Sequence, residues 1–212
     1  EEFLAKIKAR VEKVNVGLEA GTDYGPMTLP GQVDIVRRHV TDALAAGATA
    51  LVGGLDSIRA PYIDPIVLVD VPEDCSAVQE ETFGPVLVIN TVPNVEEAIR
   101  RANGTRFGLG SSVFSAKRGP EIAARLRAGG TTINSVLTFV GMPSLPFGGI
   151  GESGFGRFHG DDGLREFTAH KATTRKKFQM GKEISTFPRP DDQYKKLAGF
   201  IKMRYAKRRG TR

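Results

Sequence analysis

Phe3, Leu4, Ile7 and Val11 recur at helical spacing among Lys6, Lys8, Arg10 and Lys13, a pattern that predicts an amphipathic opening helix ending before Gly17. Residues 21–27 are turn-rich, and a second helix is predicted over 32–46, closed by Gly47. Short apolar runs at 50–52 and 66–69, separated by Gly53-Gly54 and Pro61-Tyr62, read as strands, and the run at 86–89 reads as a strand buried on both faces. Beyond it, Val95, Ala98, Ile99 and Ala102 share one face of a helix over 95–103 with Asn94 as its cap. A strand at 111–114, a helix at 120–127 stopped by Gly129-Gly130, and a strand at 131–134 follow. Strands alternating with helices predict an α/β fold, a parallel sheet flanked by helices.

Composition narrows this reading little. The 212 residues are 40% hydrophobic and 25% charged, ordinary for a soluble globular chain. No apolar stretch approaches the roughly 20 residues that span a bilayer. The start, Glu1-Glu2-Phe3, lacks the regions of a signal peptide, so a cytoplasmic protein is expected. The missing initiator Met points to a fragment or a processed chain. Cys75 is the sole cysteine, which excludes an intrachain disulfide and a cysteine-rich zinc site, and no metal site is expected. The net charge of +6 is concentrated at the end: residues 195–212 hold eight basic residues and no acidic one. The remainder is slightly acidic, and no nucleic-acid partner is expected for it.

Candidate chemistry centres on Glu80-Glu81-Thr82-Phe83-Gly84-Pro85, which places charge at the entrance to the strand at 86–89. A carboxylate there can accept two hydrogen bonds from a diol such as a ribose, and the Phe83 ring offers a flat surface to a planar heterocycle. Solvated loop charges and a core phenylalanine are the alternative. Gly149, Gly151 and Gly154 match the spacing G-x-G-x-x-G, but a proline-containing loop precedes them. Residues 157–163 after them are too rich in glycine and turn formers to form the required helix, so a structural glycine loop is expected. Cys75 lies beside Glu73 and Asp74, whose charge disfavours a nucleophilic thiolate, and a structural role is expected. His39 is read as a surface or half-buried residue, and His159 and His170 as loop and strand hydrogen-bonders.

Three motifs then carry a resemblance: Asp23-Tyr24-Gly25-Pro26-Met27, Glu80-Glu81-Thr82-Phe83-Gly84-Pro85-Val86, and Leu145-Pro146-Phe147-Gly148-Gly149 with Ser153-Gly154-Phe155-Gly156. In order and spacing they resemble the NAD(P)-dependent aldehyde dehydrogenase superfamily over about residues 1–178. Phe158-His159-Gly160 before Phe167-Thr168-Ala169-His170-Lys171 is similar to its class-3-type branch. The resemblance implies a truncated catalytic domain over 1–163 and an oligomerisation strand over 164–178; beyond it, 179–212 reads as a basic amphipathic tail. It also implies oxidation of a small-molecule aldehyde to a carboxylic acid by NAD or NADP through a cysteine thioester. The nucleophilic cysteine and general-base glutamate would precede residue 1, so the fragment alone would be inactive and need the N-terminal half. By the same resemblance, Glu81 would bond the nicotinamide ribose, Phe83 would pack beside the nicotinamide, Phe147 would line the aldehyde pocket, and residues 136–141 would line the substrate entrance. A homo-oligomer, dimer or tetramer, is implied. If the 212 residues are the whole chain, a non-catalytic assembly or membrane-anchoring module is the alternative.

In the tail, Tyr194, Leu197, Ala198, Ile201 and Tyr205 form an apolar stripe at helical spacing among Lys195, Lys196, Lys202, Arg208 and Arg209. Such a helix can pack on its own or a neighbouring subunit, or lie on an anionic membrane surface.

Overall fold

Two helices precede the first strand in the computed structural model, which describes residues 1–136, 138–178, 187–188 and 191–206. They form two compact units, Glu1–Ala169 and His170–Arg212. In the first unit, helix α1 (Glu2–Val11) and helix α2 (Pro30–Ala45) lead to β1 (Thr49–Val52). Pro30 opens α2, where its missing N–H costs nothing, and Gly47 leaves the helix at φ +97°. Val33, Val36, His39, Val40 and Ala43 are the buried positions of α2. A small hairpin, β2 (Ile58–Arg59) and β3 (Tyr62–Ile63), then turns the chain into β4 (Ile66–Val69). The motif at 23–27 fastens to this hairpin: the Tyr24 hydroxyl donates to the Ile63 carbonyl at 2.7 Å and the Met27 amide to the Pro61 carbonyl at 2.8 Å. Burial, with Asp64 nearby, pushes the Tyr24 hydroxyl up to about 12.

Helix α3 (Ser76–Gln79) and the acidic stretch lead into β5 (Val86–Ile89). Strand β4 is central: it pairs antiparallel with β1 and parallel with β5, Ile66 opposite Val86 and Val69 opposite Ile89. Ile66, Val67 and Leu68 are buried, as expected of a strand covered on both faces. Helix α4 (Val95–Ala102) starts as read, with Asn94 Oδ1 accepting from the Glu97 amide at 2.9 Å. Strand β6 (Gly110–Val113), helix α5 (Gly119–Ala123) and strand β7 (Gly130–Ile133) complete a second sheet, in which β6 and β7 run parallel. Helix α6 (Gly160–Glu166) closes the unit's regular structure.

The α/β class stands, with three corrections. The strands do not form one parallel sheet: β1 is antiparallel, because the β2–β3 hairpin reverses the chain, and the two larger sheets share no ladder among the described residues. Helix α5 ends earlier than 127, because the Asn103 side chain takes the Arg125 carbonyl (2.9 Å) and the Arg127 amide (2.7 Å) for itself. The glycine-rich segment after 157 does contain a helix, α6. Asp161 and Asp162 favour its first turn, and Gly163 is required because a Cβ there would come within 2.7 Å of the Phe158 backbone.

In the second unit, helix α7 (Gln193–Ala206) forms where the tail stripe predicts it. Tyr194, Ile201 and Tyr205 are exposed on that stripe, with Phe200 and Met203 exposed outside it; Arg208 and Arg209 lie outside the described residues. The span 164–178 is expected to pair with a neighbouring subunit, and in the chain by itself its start is helical. Residues up to 166 belong to α6, and 169–177 carry neither helix nor ladder, since no described strand offers them a partner backbone. Among the described residues no helix is long and apolar enough to cross a membrane.

Candidate functional site

The loop between α3 and β5 alternates its side chains. Glu80 and Thr82 turn to α2, and Glu81 and Phe83 turn away. Arg38 grips Glu80 with both terminal nitrogens, at 3.1 and 2.6 Å, and His39 Nε2 meets the same carboxylate at 3.3 Å. Hydrogen bonding to Arg38 first, then to His39, brings the Glu80 carboxyl down to about 2. His39 Nδ1 lies 3.0 Å from the Thr82 hydroxyl, and Gln32 Nε2 donates to the Thr82 carbonyl at 2.5 Å. His39 is therefore not a surface or half-buried residue: it is fully buried, held there by two polar partners on a loop 41 to 43 residues away.

Glu81 is exposed and lines a groove of about 390 Å³ together with Glu80 and Thr82; Gly108, Leu109, Gly110, Ser111 and Arg127 line it as well. Phe83 is 71% exposed and sits at φ +40°, a left-handed conformation that costs a non-glycine residue about 1–3 kcal/mol. Gly84 follows it against α2, where a Cβ would lie 2.5 Å from Val36. The acidic pair is thus divided by its partners: both residues border the groove, but Glu80 is tied to Arg38 and His39 and Glu81 is not.

Phe147 lies in a separate aromatic row. Its ring stacks on Phe139 at 5.7 Å and meets Phe158 at 4.7 Å, and Phe158 meets His159 edge-on at 4.5 Å. Phe147 and Phe158 also exchange backbone hydrogen bonds of 2.7 and 2.9 Å. The row is founded on the second sheet, since Phe139 fills the space that side chains at Gly110 and Gly130 would occupy. Strand β6 therefore serves both groove and row. Sequence reasoning missed Phe139 and Phe158 as members of this row. The first lay within the span read as the substrate entrance, and the second within a quoted motif, but neither shows its ring partner locally.

The glycine loop behaves as read. Gly151–Ser153 is a 3₁₀ turn, Gly149 is pressed against Ser153, and Arg157 ties the loop by donating to the Gly149 and Gly156 carbonyls at 2.9 and 2.6 Å. Cys75 is buried in the core at the start of α3 and is inaccessible as a nucleophile. A further hollow beside α4 is lined by Glu96, Glu97, Arg100, Arg101 and Arg125. These charges neutralise one another, Arg100 and Arg101 on Glu97 and Arg125 on Glu96. Among the described residues no group of three or more His, Cys, Asp or Glu could hold a metal ion.

The aldehyde dehydrogenase family model matches residues 1–173. A Methylomonas protein named 4,4'-diapolycopene aldehyde oxidase is 37% identical over 206 residues, 96% of this chain and 38% of its own length. A Mycobacterium ulcerans protein named as a succinate-semialdehyde dehydrogenase for NADP+ is 39% identical over 175 residues, 79% of this chain and 34% of its own. Among solved structures, a mutant of aldehyde dehydrogenase C from Pseudomonas syringae in complex with NAD+ and octanal superposes with a TM-score of 0.69 at 29% identity, over 79% of this chain and 36% of that one. The chain spans little more than a third of the length of these relatives. With motifs, fold and family match in agreement, the chain belongs to the aldehyde dehydrogenase family.

Proposed function

We propose that this chain supplies the nicotinamide-ribose clamp and the aromatic side of the aldehyde pocket to a complete enzyme that oxidises an aldehyde to a carboxylic acid with NAD+ or NADP+. The observation that carries the reading is the divided acidic pair. Glu80 is consumed by Arg38 and His39, whereas Glu81, one residue on, keeps its carboxylate free at a groove. A free carboxylate accepts from both hydroxyls of a ribose, and the exposed Phe83 ring, two residues on and outside the groove's lining, gives the planar base a face to rest on. A nicotinamide dinucleotide bound there supplies the hydride acceptor. Phe147 and Phe158 would shield the aldehyde from water and hold its apolar portion. Cys75, being buried, takes no part.

In the complete protein, Glu81→Ala should raise the cofactor dissociation constant by about tenfold or more, the size of one or two lost charge-assisted hydrogen bonds. Unchanged cofactor binding would refute the assignment.

Two finer readings concern assembly. The span 164–178, which the resemblance gives as an oligomerisation strand, would pair through the part that follows α6 with a second copy in a homo-oligomer. Exposed Tyr194, Ile201 and Met203 beside Lys195, Lys196 and Lys202 support α7 as a contact with a neighbouring subunit or an anionic membrane surface. Co-sedimentation of the complete protein with anionic vesicles, with and without residues 193–212, separates the two.

A further inference from the structure

We infer that Thr82 and the buried His39 form a positioning latch that sets the direction in which Glu81 and Phe83 leave the loop, so that α2, which does not itself line the groove, governs cofactor affinity. The inference rests on the assignment of Glu81 and Phe83 to the cofactor.

The chemistry of the partners fixes the latch. Glu80 is held well below the ordinary carboxylate range and can only accept hydrogen bonds, so His39 Nε2 must carry the proton that reaches it at 3.3 Å. In the neutral ring this leaves Nδ1 as an acceptor, and the Thr82 hydroxyl at 3.0 Å must donate to it. The imidazole is completely buried, so a lost partner cannot be replaced by bulk water. Gln32 adds the third tie, donating to the Thr82 carbonyl. Thr82 is therefore held by both its side chain and its backbone.

The residues on either side inherit this constraint. Glu81 and Phe83 flank Thr82, and successive side chains along extended backbone point to opposite sides. An inward Thr82 therefore favours an outward Glu81, while Phe83 leaves the extended run at its left-handed φ. Phe83 additionally holds φ +40°, which a free loop would abandon for an ordinary conformation. Gly84, pressed on Val36, anchors the far end.

The test uses the complete protein, with NAD+ and NADP+ each titrated directly and steady-state kinetics recorded alongside. Thr82→Val keeps the shape and removes the hydroxyl, whereas Thr82→Ser keeps it. Thr82→Val should raise the cofactor dissociation constant about tenfold, the size of one lost hydrogen bond, while the aldehyde KM holds; because the buried His39 nitrogen is left unpaired, the melting temperature should also fall by several degrees, and binding is therefore titrated well below it. Thr82→Ser should restore wild-type affinity, and Gln32→Ala should act in the same direction as Thr82→Val. Glu81→Ala serves as the reference. If Glu81→Ala weakens cofactor binding and Thr82→Val does not, the latch is overturned and the clamp stands. If Glu81→Ala itself leaves binding unchanged, the clamp falls and the latch with it. His39→Leu is left aside because it places an apolar group against Glu80 and risks the fold.

Discussion

The sheet built on β4 and the ladder of β6 and β7 both contain parallel pairs, yet opposite means hold them. Around β4 the interior is large and apolar: Val36 and Val40 of α2 pack with Ile63, Ile66 and Leu68. The second ladder is made of small and hydroxylated residues. Gly110 faces Gly130, Ser111 bonds Thr131 at 2.7 Å and Ser112 bonds Thr132 at 3.0 Å, with Phe139 filling the space above the two glycines. One region is a volume of side chains; the other is a thin wall that lets backbone approach. Under the proposed role of Glu81 the first region would hold that residue in place and the second would leave room beside it.

The contrast predicts that removing volume breaks the first region and adding volume breaks the second. Leu68→Ala, at a fully buried position, should cost about 2–5 kcal/mol, read as a large fall in the thermal or urea midpoint. Gly130→Ala should cost about 1–3 kcal/mol, because its Cβ would arrive 2.5 Å from the Phe139 ring. A neutral Gly130→Ala would mean that the aromatic row is not founded on this ladder. Asn94→Ala, which removes the cap of α4 between the two regions, should cost about 1 kcal/mol. The smallest effect is a pH dependence. Glu80 beside Arg38, and Glu97 beside Arg100 and Arg101, are each lowered from the ordinary 4.5 to about 2 in the folded chain. Their contribution is therefore fully present above pH 4.5 and lost as pH falls from there through about 2. Carboxyl titration by NMR checks this. In Glu80→Gln the corresponding share of the acid-induced loss of stability should disappear.

What could be read from the sequence was what is local. The periodicity of α2 and the Asn94 cap are settled by neighbours within a few residues and stand in the structure; the apolar run of β5 forms its strand, but not one buried on both faces, since Leu87 is exposed at the edge of a sheet whose centre is β4. What was hidden depends on distant partners. His39 reads as a surface residue until Glu80 and Thr82 arrive. Helix α5 reads as longer until Asn103, 22 residues back, takes the Arg125 carbonyl. Phe147 could be picked out by its motif, but Phe139 and Phe158 join it only through ring stacking and a two-residue backbone bridge. The acidic pair is divided in the sequence only by the resemblance, which names Glu81; residue chemistry alone does not separate Glu80 from Glu81, and the tie of Glu80 to α2 is a long-range contact.

The most direct measurement is a crystal structure of the complete protein with NAD+ bound. The account predicts the Glu81 carboxylate within hydrogen-bonding distance, roughly 2.5–3.0 Å, of the nicotinamide ribose hydroxyls, with Phe83 against the nicotinamide and Glu80 still on Arg38 and His39. A ribose held by Glu80, or a Glu81 carboxylate left in solvent away from the cofactor, would contradict it.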